Sequence, residues 1–137
     1  MKTVLVVQRD SEFADEFADW LTRAGYRVRV CTGPHAPAYG CWSMKFRDCP
    51  LWGQADLVLY DPWLQMGPRT YGSGGIIETE RSRHPDMPVL IWGSGAAIPK
   101  DIATMELPGE LEILPLDITP RALVEAVEHM IGTAREP

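Results

Sequence analysis

Leu57-Val58-Leu59-Tyr60-Asp61-Pro62-Trp63, LVLYDPW, is the stretch whose reading decides the fold. Four consecutive apolar residues followed by turn chemistry read as a short strand buried on both faces, the pattern of a parallel sheet rather than of a half-exposed hairpin. The next residue, Asp61, is a carboxylate at the carboxyl end of that strand. Open α/β sheets gather their reactive groups just beyond those strand ends. One heptapeptide therefore predicts a central strand and a candidate site.

Upstream, Val4-Leu5-Val6-Val7 is a second run of the same kind. After it, Ser11 is the expected cap of an amphipathic helix with Phe13, Phe17, Leu21 and Ala24 on one face and Gly25 at its stop. Tyr26 to Cys31 alternates and predicts an edge-like strand. Downstream, Met87 to Trp92 and Leu111 to Leu114 read as two further strands, with a helix over Ile76 to Arg83 between Asp61 and the first of them. Thr119-Pro120 has the form of a helix start, and Leu123, Val124, Ala126, Val127, Met130 and Ile131 form an apolar face that ends at Gly132. Strands alternating with helices predict a parallel sheet covered on both sides.

At 137 residues the chain suits a single domain, 1–137. With 13 basic and 19 acidic residues, net charge −6, it lacks the cationic footprint of a nucleic-acid or anionic-membrane binder. No apolar run is long enough for a membrane span. A cytoplasmic location is expected, with the three cysteines reduced by default.

Taken together, these segments resemble the receiver domain of bacterial two-component response regulators. VLVVQRDSEFADEFADWLTRAGYRV is similar to the opening strand, helix and second strand of that family, ADLVLYDP to its third strand, and MPVLIWGSG and LEILPLDITPRALVEAVEHMIG to the closing portion. The resemblance implies a flavodoxin-like, doubly wound five-stranded parallel sheet of order 2-1-3-4-5. It also implies that Asp61 stands at the phosphoacceptor place, and that a histidine kinase or a signalling output protein is the class of partner, with a homodimer as a further expectation.

The supporting positions depart from the family. Phosphoryl transfer to an aspartate needs Mg²⁺, and that ion needs carboxylate oxygens. At the acidic-pair positions this chain has Gln8 and Arg9, and Asp10 would serve only in a register shifted by one. Gly93 stands at the switch hydroxyl place with Ser94 one residue on, and Leu116 stands where the family carries a lysine. Arg9 would place a guanidinium beside Asp61 where the metal would otherwise sit, a charge-assisted pair that repels the cation. Alternatively, Asp61 serves the Asp-Pro turn alone. The expectation is a degenerate, non-enzymatic signalling or protein-interaction module with no cofactor. The alternatives are a receiver phosphorylated on Asp61, which would require Mg²⁺, and a metal or redox sensor.

The third alternative comes from Cys31, His35, Cys41 and Cys49, which fall within a Pro/Gly-rich segment, residues 32 to 54 and its flank, where the family has its second helix. An irregular segment replacing that helix is expected. Four such ligands suit tetrahedral Zn²⁺, although C-x3-H-x5-C-x7-C contains no C-x2-C knuckle. A Cys41–Cys49 disulfide, a redox-sensing thiol or small buried hydrophobes are the other readings. Residues 71–75, a glycine-rich turn, lack the lysine of a phosphate loop and read as a helix start. Trp42, Trp52, Trp63 and Trp92 map to the carboxyl-end loops or their neighbours, and His84 and His129 to polar helix positions exposed to solvent.

Overall fold

The computed structural model describes residues 1–8, 10–31, 49–62, 80, 82–92 and 111–134. Within them five strands form one parallel sheet: β1 (Thr3–Val7), β2 (Arg27–Cys31), β3 (Leu57–Tyr60), β4 (Val89–Ile91) and β5 (Leu111–Ile113), in the order β2-β1-β3-β4-β5. This is the expected flavodoxin-like arrangement. β1, β3 and β4 are buried at every position, as their uninterrupted apolar runs require. β2 and β5 form the edges and expose part of their lengths.

The sheet separates two apolar layers. On one side Val4, Val6, Leu57, Leu59 and Leu90 pack with Phe17 and Leu21 of α1 (Ser11–Arg23) and with Leu123 and Val127 of the closing helix. On the other, Leu5, Val7, Val58, Tyr60, Val89 and Ile91 pack with Cys49 and with Trp52 of α2 (Pro50–Gly53). Alternate residues of each strand serve opposite layers because the side-chain period of a strand is two.

The helix ends show how the sequence sets boundaries. α1 is capped by Asp10, whose Oδ1 accepts from the N–H groups of Glu12 and Phe13 at 2.9 and 3.3 Å. Ser11, the expected cap, is instead the first helical residue. Asp10 still has extended backbone and can turn its carboxylate back onto the exposed amides, which Ser11 no longer can. Ala24 is likewise exposed and past the helix end, while Ala14 is buried in its place. The closing helix, α3 (Pro120–Ile131), follows expectation. Thr119 Oγ1 accepts from Ala122 N at 3.1 Å, and Pro120 sits in the first turn, where its missing N–H costs nothing.

In the Pro/Gly-rich segment the structure adds a feature that was not expected. α2 is a single helical turn with Pro50 in its first turn, leading through Ala55 and Asp56 into β3. Its Trp52 is buried in the core and meets Tyr60, the last residue of β3, with ring centroids 6.2 Å apart. His35, Cys41, Trp42 and Trp63 lie outside the described residues, as does the 71–75 turn. Glu80, Ser82 and Arg83 are helical, within the helix expected over 76–83. No helix among the described residues is long and apolar enough to cross a membrane.

Candidate functional site at the carboxyl end of the sheet

The parallel ladder runs one residue past the strands. Gln8 N donates to Cys31 O at 3.0 Å, Asp61 N to Val7 O at 2.8 Å, Trp92 N to Tyr60 O at 3.1 Å and Leu114 N to Ile91 O at 2.8 Å. Gln8, Asp61, Trp92 and Leu114 thus form one transverse row across β1, β3, β4 and β5. Strand alternation turns the row toward the α1/α3 layer, the layer in which Trp92 and Leu114 pack.

Every member of the row is buried, Gln8 to 1% and Asp61 to 0% residual exposure. A buried carboxylate is stable only with partners, and Asp61 has interactions beyond its backbone bond. The Arg9 pair inferred from the sequence lies outside the described residues, as do Gly93 and Ser94. Gln8, the described member of the acidic-pair positions, brings a neutral amide to the end of β1 beside Asp61. Asp10, the shifted candidate, holds the α1 amides with Oδ1. Its own N–H makes a long contact, 3.5 Å, to Gln8 Oε1. Leu116 stands in the turn after β5 with 54% of its surface exposed.

Trp92 was expected at the end of a strand, as one of four tryptophans at the carboxyl-end loops or their neighbours. Its ring lies 5.0 Å from Phe13 and 4.8 Å from Phe17, tilted and edge-on respectively, geometries that aromatic pairs favour. Its Nε1–H donates to the Pro115 carbonyl at 3.0 Å. The indole therefore ties the end of β4 to α1 and to the turn after β5.

A second polar cluster lies on the opposite layer. Glu80, fully buried, accepts from Cys49 N at 3.4 Å and pairs with Arg83 at 3.1 Å and His84 at 3.7 Å. His84, expected at the solvated surface, is instead half-buried over this carboxylate, whereas His129 is exposed as expected. The run of charged and polar residues Glu80-Arg81-Ser82-Arg83-His84 reads as a solvated helix face, and packing against α2 turns Glu80 and His84 inward. Cys31 ends β2 and Cys49 caps α2, both against the Trp52 layer. Among the described residues no group of three or more His, Cys, Asp or Glu is placed to hold a metal ion. The four-ligand set proposed from sequence includes His35 and Cys41, which lie outside those residues.

No protein-family model matches this chain, and no curated protein matches it. Solved structures do. A CheY-like response regulator receiver domain protein from Methanospirillum hungatei JF-1 superimposes with a TM-score of 0.67 at 19% identity, over 96% of this chain and 94% of that one. Chemotaxis protein CheY4 of Vibrio cholerae gives 0.64 at 14% identity, over 95% and 98%. NtrX of Brucella abortus gives 0.69 at 18% identity over 96% of this chain, which corresponds to 27% of that longer protein. At such identities the likeness is one of fold, and the strand order β2-β1-β3-β4-β5 agrees with it. In fold, this chain is similar to the CheY-like receiver domains of response regulators.

Proposed function

We propose that the chain is a degenerate receiver-like domain that acts as a non-enzymatic signalling or protein-interaction module. The single observation that carries this reading is Gln8, a neutral amide buried at the end of β1 in the same row as Asp61. A divalent cation at that place would need anionic oxygen ligands, and Gln8 supplies none. Asp10, one place later, has its Oδ1 engaged at the α1 amides, and leaving the cap would cost about 1 kcal/mol. Leu116, in place of a lysine, gives a phosphorylated Asp61 no cation to pair with from its position.

Without that chemistry, the domain works through the surface it presents to a protein partner, of the kinase or output-protein class that the fold suggests by analogy. The test is a titration with beryllium fluoride and Mg²⁺ followed by ¹H–¹⁵N NMR. Spectra unchanged at Asp61 and its row are expected. Saturable shifts centred on Asp61 would overturn the reading in favour of a phosphorylatable receiver.

A further inference from the structure

We infer that Trp92 is a built-in latch that holds the turn after β5, with its exposed Leu116, against the Asp61 end of the sheet. The proposal concerns the conformation of that turn and stands whether or not Asp61 can be phosphorylated. Three observations converge on it. Trp92 belongs to the row that contains Asp61, since its own N–H continues the ladder to Tyr60 O at 3.1 Å. Its ring is wedged against Phe13 and Phe17 of α1, leaving 4% of the residue exposed. From that seat the indole N–H reaches the carbonyl of Pro115, 23 residues away in sequence.

Proline strengthens the logic. Pro115 has no N–H of its own and a fixed φ, so the turn that follows Leu114 has one donor fewer with which to anchor itself. Leu114 N is bonded back to Ile91, and the closing helix begins only at Pro120. Between these two fixed points Pro115, Leu116 and Asp117 are exposed, and the indole bond is a tertiary tie on the stretch. An indole held by two aromatic neighbours is also rigid, so the bond comes with little loss of side-chain entropy. The place where Leu116 meets solvent is thus set from the end of β4.

The experiment is hydrogen–deuterium exchange on the full chain and on Trp92→Phe, which keeps a ring against Phe13 and Phe17 but removes the N–H donor. Exchange in the peptide over residues 114–119 should rise about fivefold or more, the factor that one lost hydrogen bond implies, while the peptides over β1 and β3 stay unchanged. Exchange over 114–119 that does not change would overturn the latch. Should the variant lose its fold, the native chain decides. The Trp92 indole N–H, assigned through its contacts to Phe13 and Phe17, should exchange several-fold more slowly than a free indole. Exchange at the free-indole rate would equally overturn the proposal.

Discussion

Tyr26 shows how one side chain fastens the amino- and carboxyl-terminal parts of the chain and what that costs at high pH. Its phenol donates to the Gly132 carbonyl at 2.8 Å from a buried position between α1 and β2. Burial raises the Tyr26 pKa above its usual value of 10.0, and the negative charge of Glu128 raises it further. The folded protein therefore holds the phenolic proton more tightly than the unfolded chain. Below pH 10 both states are protonated and the contribution to stability is complete. As pH climbs above 10 the unfolded chain ionises first, and stability falls until the folded phenol also ionises. Tyr26→Phe should lose about 1 kcal/mol at neutral pH for the missing hydrogen bond, and its denaturation midpoint should fall less steeply than the parent's between pH 9 and 11. A variant whose alkaline loss matches the parent's would place the cause elsewhere. The identity of Tyr26 as an aromatic at the head of a strand was legible. Its partner, 106 residues on, was not.

At the scale of elements, the two long helices and all five strands follow from periodicity and turn chemistry. The errors lie where two adjacent residues compete for one role. Asp10 and Ser11 are both good caps, and which one serves depends on where the strand-to-helix connection enters the α region, a matter of a single ψ angle. Asp10→Ala should therefore destabilise the protein by about 1 kcal/mol in urea denaturation, whereas Ser11→Ala should be near neutral. The reverse ranking would restore Ser11 as cap and free Asp10 for another task. α2 escaped notice because four residues carry no helical period. What holds it is the burial of Trp52 and the carboxylate of Glu80 on Cys49 N, both contacts made over distance.

Over the whole molecule, closure of the sheet by α3 depends on one glycine. Gly132 has φ 81° and ψ 179°, a region that L side chains avoid, and an added Cβ would come within 2.9 Å of Lys2 Nζ. Lys2 also donates to the Ile131 carbonyl and Tyr26 to that of Gly132, so the beginning of β1, the end of α1 and the end of α3 meet at this point. Gly132→Ala should lower stability by about 1–3 kcal/mol, measured as a shift of the denaturation midpoint with an unchanged slope. No shift would mean that the helix end relaxes at no cost. Gly25, also at positive φ, closes the other side of the junction, against Ala134.

The sequence by itself determined the parallel sheet, its order through the resemblance to receivers, and the place of Asp61, because these follow from local patterns: apolar runs, caps, and a carboxylate after a strand. Through the same resemblance it set Gln8 and Leu116 at the places where receivers carry an acidic residue and a lysine. Only the tertiary structure decided that Glu80 and His84 turn inward rather than to water, that Trp52 joins the core, and that Trp92 reaches Pro115. Each of those outcomes depends on which element packs on which face. Residues far apart in the chain meet there, and no local period encodes the meeting.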